Sequence, residues 1–301
     1  MKQVEDIRHV MVAGGGTLGL RIALRCALDG YHVMLFDLQQ SQLDIAKQQH
    51  ARLVRNLLRD GQISNAQAER VATHLKTTTE LSVAVTDVDL VIESITEDVP
   101  IKNAFFTDVC PLLPPEVLLA TNTSFLLPSQ FLASIDRPAQ FCAFHFHDVF
   151  NQTVVDVMPH SATDPAFVEL LMAFGRRINQ IPVHVQQETP GYLFNAMLLT
   201  IMQQATLLFT SGAGSIQDID RSFMGNFKTP AGPFGMLDQI GLDTALHIAH
   251  NRPELTGEHF VALLQSYVDK GHLGFKTGQG FYRYPKPEFA QPGFLAANSG
   301  D

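Results

Sequence analysis

The chain has 301 residues, 46% of them hydrophobic, a formal net charge of -9 at pH 7 and three cysteines. That hydrophobic content excludes general disorder and can fill two domain-sized cores, while the acidic balance argues against a nucleic-acid surface. No apolar run reaches the length of a membrane span and Met1 to Asp6 holds no apolar signal core, so a cytoplasmic protein without a membrane partner is expected. Cys26, Cys110 and Cys142 lie in apolar segments without C-x-x-C spacing and read as reduced packing residues. In chain order, Val10 to Ala13 reads as a strand that turns through Gly14-Gly15-Gly16-Thr17-Leu18-Gly19 into a helix ending at Asp29-Gly30. This Gly-x-Gly-x-x-Gly turn has the spacing of a dinucleotide site. Gly14 permits the tight turn, Gly16 lets the backbone approach a pyrophosphate, and Gly19 lets the helix pack on the sheet. Gly14, Gly16, Thr17, Leu18 and Gly19 are therefore candidate cofactor contacts, with the pyrophosphate on the free N–H groups of the helix start.

His32 to Phe36 follows as a buried parallel strand ending in Asp37. An acid there can bond both hydroxyls of an adenosine ribose, and Leu38-Gln39-Gln40 offers no arginine for a 2′-phosphate, so NAD is favoured over NADP. The segment Ser41 to Asp60 carries Lys47, Arg52, Arg55 and Arg59, and the last three share a helix face. Either a solvated basic face or a grip on a phosphate-bearing substrate tail fits that pattern. A helix over 65–74, strands over 88–92 and 117–120, a helix over 102–113 and a strand over 140–144 continue the alternation, with closing strands over 154–158 and 181–185. The strand ends collect Glu93 to Glu97, Thr121 to Ser124 and His145 to Asp148, and that edge of an open α/β sheet binds ligands. Composition changes at Glu188 to Gly191, after which 192–209 reads as a long apolar helix, with further helices after Ser215, whose spacing to Asp218 suggests an N-cap, and over 242–250. The fold class is thus α/β, a Rossmann-like doubly wound sheet over 1–187 followed by an all-helical domain over 188–301 for substrate and dimerisation, with a loose tail from Pro285. The apolar helix makes a homodimer the expected assembly.

His145 is the candidate general acid/base because an imidazole titrates near the working pH, and Asp156 can orient it. Ser124 and Asn195 can hydrogen-bond a substrate carbonyl or hydroxyl. The same residues allow two rivals: a hydrolase triad of Ser124, His145 and Asp156, which lacks a Gly-x-Ser-x-Gly elbow, and a metal pair, His145 with His147, which lacks a third ligand at useful spacing.

Several motifs in order resemble the 3-hydroxyacyl-CoA dehydrogenase family over residues 8–284: the Gly14 to Gly19 loop, Val91-Ile-Glu-Ser-Ile-Thr-Glu97 with Lys102, Thr121-Asn122-Thr-Ser124, His145-Phe, Pro190-Gly-Tyr-Leu-Phe-Asn195, Pro230-Ala-Gly-Pro-Phe234 and Lys276-Thr-Gly-Gln-Gly-Phe-Tyr282. The resemblance implies NAD as cofactor, no metal, and oxidation of a 3-hydroxy group on a small-molecule substrate. It implies His145 as base with Asp156 as partner, Ser124 and Asn195 on the substrate oxygens, and cofactor contacts from Asp37, Glu97, Lys102, Asn122, Ser124 and Lys276. Where the family has His-Phe-Phe-Asn-Pro this chain has His145-Phe146-His147-Asp148-Val149, and Ala196 replaces an arginine. Asp148 is accordingly a candidate cofactor contact whose charge would raise the histidine's pKa. Ser124-Phe-Leu-Leu-Pro-Ser129 looks more like relatives acting on free acids, the gulonate dehydrogenase or lambda-crystallin branch and the diketoreductases. A hydroxyacyl-CoA, a free hydroxy or diketo acid, and a cofactor-binding protein without turnover are all compatible with the sequence.

Overall fold

The computed structural model describes residues 2–251 and 256–296. The chain divides into two compact units, Met1–Tyr192 and Leu193–Asp301. The first runs β1 (His9–Ala13), α1 (Thr17–Leu28), β2 (His32–Phe36), α2 (Gln40–Arg59), α3 (Asn65–His74), β3 (Leu75–Thr78), α4 (Leu81–Ala84), β4 (Leu90–Glu93), α5 (Val99–Val109), β5 (Leu118–Thr121), β6 (Phe141–Phe146), β7 (Val154–Met158), α6 (Pro165–Arg177) and β8 (Ile181–His184). The eight strands form one sheet in the order β3-β2-β1-β4-β5-β6-β7-β8. All neighbours are parallel except β6 and β7.

Apolar runs in β1, β4, β5 and β6 are buried because helices cover both faces of a parallel sheet. One core lies against α1 and α6, with Val12, Ile92, Ala120, Phe144 and Phe174, and the other against α5, with Met11, Val91, Leu119, Phe106 and Phe141. Two features depart from the sequence reading. β3, a short strand at one edge of the sheet carrying Lys76, has too few apolar residues to be read from alternation. His145 lies inside β6 and not beyond it, because the antiparallel ladder with β7 continues the strand to Phe146 and sets His145 directly opposite Asp156.

The second unit holds α7 (Phe194–Thr210), α8 (Ile216–Phe227), α9 (Pro233–Ile240), α10 (Leu242–Asn251) and α11 (Glu258–Val268) around Met202, Phe234, Leu237, Phe260 and Tyr282. Ser215 caps α8 by accepting from Asp218 N. Two buried acids fix its loops: Asp220 accepts from Phe234 N, Gly235 N and the Tyr282 hydroxyl, and Asp238 from Phe281 N, Tyr282 N and the Tyr284 hydroxyl. The tail expected to be loose from Pro285 is packed through Phe294, since Phe289 and Phe294 are buried and Arg221 Nε donates to the Phe294 carbonyl. Two aromatic anchors outweigh its Pro and Gly content; residues 297–301 lie outside the described ones. Among the described residues no helix is long and apolar enough to cross a membrane.

Candidate active site

At the carboxyl end of β1, Gly14 has φ +107, and a Cβ there would lie 2.4 Å from the Ser94 carbonyl oxygen. A Cβ on Gly19 would lie 2.0 Å from Gly14 O, so strand, turn and helix meet at backbone distance. α1 starts at Thr17 with no side-chain cap, and a Cβ on Gly16 would meet nothing within 4 Å. The helix's first N–H groups therefore lack a side-chain acceptor beside open space, which fits a pyrophosphate. Asp37 stands at the end of β2, accepting from Gly15 N at 2.8 Å and Gln39 N at 2.9 Å. A 640 Å³ cleft runs from Gly14 and Gly16 past Asp37 and Leu38 to Ile95 and Phe105, with room for the adenosine half of a dinucleotide. Replacing Asp37 by serine is expected to weaken NADH binding about 10-fold, the worth of one charge-assisted hydrogen bond, and to relax discrimination against NADPH. Fluorescence titration with both nucleotides measures this, and an unchanged ratio of the two affinities would remove Asp37 from the ribose.

Glu97 and Lys102, the cofactor contacts that the resemblance implies, belong to one ion-pair network with Glu93. Lys102 Nζ is buried, 2.6 Å from Glu93 Oε1, 3.4 Å from Glu97 Oε2 and donating to Ile95 O at 3.3 Å. Glu93, grouped in the sequence with the strand-end polar residues but given no role, also accepts from Thr121 Oγ1 and Ile95 N. Glu97 Oε1 gathers Thr123 Oγ1, Ser124 N and Phe125 N. Burial pushes Glu97 up, but Lys102 and these donors outweigh it and hold the carboxyl below its ordinary value. The pair thus shapes the loop that carries Ser124. Asn122 ties the same loop to β6, accepting from Phe146 N at 2.8 Å while its Nδ2 donates to Ser94 Oγ.

His145 Nδ1 lies 3.2 Å from Asp156 Oδ2, and His147 Nε2 reaches the same oxygen at 2.9 Å. His147 follows directly on the end of β6 and its N–H donates to the Val154 carbonyl of β7, so both imidazoles converge on the acid of the neighbouring strand. Burial pushes His145 below its ordinary value, partly opposed by the hydrogen bond and charge of Asp156. Burial alone would raise Asp156, but the two histidines outweigh it and hold the carboxyl low. Tyr192, unmarked by any motif chemistry, stacks on His145 with centroids 4.6 Å apart and donates its hydroxyl to the Thr123 carbonyl at 2.6 Å. One ring thereby ties the histidine to the Ser124 loop.

Asp148, expected to raise the pKa of His145, is engaged elsewhere, and burial holds the His145 pKa below its ordinary value. The Asp148 carboxylate accepts from Arg21 at 2.8 Å and from Asn151 N, and the charged neighbours acting most on His145 are His147, Asp156 and Glu97. No hydrogen bond joins Ser124 to His145 among the described residues, so the hydrolase triad is not assembled. Asn195 and Lys276 belong to the second unit, Asn195 in the first turn of α7 and Lys276 paired with Asp243 at 2.6 Å. Arg52, Arg55 and Arg59 are exposed on α2, and Arg59 pairs with Asp60.

The sequence profile of the 3-hydroxyacyl-CoA dehydrogenase NAD binding domain matches residues 9–189, and that of the family's C-terminal domain matches 191–284. The chain belongs to the 3-hydroxyacyl-CoA dehydrogenase family. This family member therefore carries an NAD-binding domain and is an oxidoreductase of that type. It is 32% identical to a probable 3-hydroxyacyl-CoA dehydrogenase of Caenorhabditis elegans, over 94% of each chain. Identity to the human mitochondrial hydroxyacyl-coenzyme A dehydrogenase is 30%, over 92% of this chain and 91% of that one. Among solved structures, a diketoreductase described in substrate-directed dual catalysis of dicarbonyl compounds is similar at TM-score 0.85 and 32% identity, over 94% of this chain and all of that one.

Proposed function

We propose that this dehydrogenase interconverts a 3-hydroxy and a 3-oxo group on an acyl-CoA, with His145 as general acid/base. The observation that carries the reading is the buried His145–Asp156 pair, set by strand register at the sheet edge that also bears the glycine turn. Bound NAD supplies the acceptor for the carbinol hydride. His145 Nε2 takes the hydroxyl proton in oxidation and returns it in reduction. Asp156 holds the tautomer with the proton on Nδ1 and stabilises the imidazolium as it forms. Ser124 and Asn195 hold the substrate oxygens, and Glu97 and Tyr192 keep the Ser124 loop in place. Gly14, Gly16, Thr17, Leu18 and Asp37 hold the cofactor; Asn122, Asp148 and Lys276 are assigned as further contacts.

Because burial keeps His145 neutral at pH 7, oxidative kcat/KM should be flat there and fall only as pH drops through a midpoint below the ordinary 6.5. Asp156→Asn removes the group that opposes burial and should move the midpoint lower still. An unmoved midpoint would assign the titration to another residue.

The deciding assay is NADH oxidation with acetoacetyl-CoA, with His145→Ala as the blank. Turnover that vanishes in the variant supports the acyl-CoA reading. Turnover confined to free 3-oxo or diketo acids favours the second reading, which the likeness to the diketoreductase supports. NADH binding with neither turnover would mark a non-catalytic protein. We also infer a homodimer from the exposed Phe194, Met197, Ile201 and Leu208 of α7, and light scattering would show a single-chain mass if that is wrong. Three buried, unpaired cysteines support a reducing compartment, in keeping with a cytoplasmic location.

A further inference from the structure

The His145, His147 and Asp156 side chains offer one ligand atom each, and these three atoms lie within 4.8 Å of one another. Two of the separations, 3.2 Å and 2.9 Å, both to Asp156 Oδ2, are close to the edge of a zinc tetrahedron, which metal–ligand distances near 2.1 Å set at about 3.4 Å. Two imidazoles and a carboxylate are also a donor set that suits Zn²⁺, and a fourth position would remain for water or a substrate oxygen. We propose that this cluster is an inhibitory site for Zn²⁺, created by the histidine at position 147.

Its chemistry follows from the two nitrogens of one ring. A neutral imidazole carries a single proton, so coordination through His145 Nδ1 places that proton on Nε2. Nε2 is then a donor and cannot accept the substrate hydroxyl proton. The metal takes the place of the proton that otherwise bridges His145 to Asp156, and it occupies the carboxylate that would stabilise the imidazolium. Closing the third ligand separation needs a small swing of an imidazole, and the site is wholly within one unit because β6 and β7 are neighbours. His147 is the ligand that decides between a hydrogen-bonded pair and a metal site: without it only two donors remain.

The inhibitory effect rests on His145 being the acid/base, whereas metal binding does not, and the experiment separates them. Co²⁺ is titrated into the full chain and followed by its visible d–d absorption, and Zn²⁺ is then added to displace it. One tetrahedral Co²⁺ per chain, displaced by Zn²⁺, is the expected result. His147→Phe should weaken binding by at least the roughly 10- to 100-fold that losing an outer partner of a metal ligand costs. His147→Gln, which keeps a donor for Asp156, should lose the metal as well, and NADH fluorescence checks that both variants are folded. In parallel, Zn²⁺ should suppress NADH-dependent turnover of the parent at the concentration that displaces Co²⁺, with recovery on chelation. Absence of tetrahedral Co²⁺ absorption, or binding that survives both His147 substitutions, overturns the site. Metal binding by a protein without turnover leaves the site standing and defeats the catalytic reading; turnover that Zn²⁺ leaves unchanged while bound defeats the inhibition.

Discussion

Turnover of the His145→Ala variant is expected to fall by about 100- to 10,000-fold, with NADH affinity unchanged. The size follows from the loss of proton transfer in the transition state, where the hydroxyl proton and the hydride must leave the same carbinol. The direction of the split follows from placement: the glycine turn and Asp37 hold the cofactor through β1, α1 and β2, whereas His145 stands on β6. kcat and kcat/KM should therefore fall together while the NADH dissociation constant stays put. His145→Gln fills the same space without a base and guards against a cavity beside Tyr192 as the cause. Activity of either variant within about threefold of the parent would be incompatible with general acid/base catalysis by this residue.

Lys102→Met should lower the stability of the first unit by about 3–5 kcal/mol, because it leaves the Glu93 carboxylate, which is fully buried, without its counter-charge. Thr121 Oγ1 and Ile95 N still donate to that carboxylate, but neutral donors do not replace an ammonium in a dry interior. A midpoint decrease on the order of 10 °C is expected for a unit of this size. Glu93→Gln in the Lys102→Met background should recover much of it, since the Gln carbonyl can accept from Ile95 N while its amide N–H donates to the Thr121 hydroxyl, without a charge. A cofactor contact would behave differently: NADH affinity would fall and the thermal midpoint of the unliganded protein would hold. Thermal unfolding of both variants with and without NADH separates the two roles. Turnover should also drop as Glu97 loses Lys102 and with it the grip on the Ser124 loop.

Both predictions turn on residues that the sequence marked unequally. His145 was legible because an imidazole at a strand end is chemically conspicuous, and Asp156 because an acid among β-branched neighbours needs a partner. Lys102 and Glu97 were legible as motif members, yet their assignment as cofactor contacts came from resemblance and carried no information about burial. Glu93 and Tyr192 lay within the quoted motifs but drew no role of their own, because only their partners, Lys102 and the Thr123 carbonyl, give them one. Asp148 shows the same limit, since nothing nearby in the sequence points to Arg21, 127 positions away.

The sequence by itself determined the alternation of strand and helix, the glycine turn, the acid at the end of β2 and the change to a helical second unit. Each of these rests on local chemistry: hydrophobic period, glycine conformation, chain punctuation and residue type at a fixed spacing. Tertiary structure alone decided which charges meet. The antiparallel pairing of β6 with β7 brought two histidines to one carboxylate, and burial between strands and helices gave Lys102 a core ion pair with Glu93. Pairing of distant charges depends on register and on the water removed around them, and neither quantity exists until the sheet has closed.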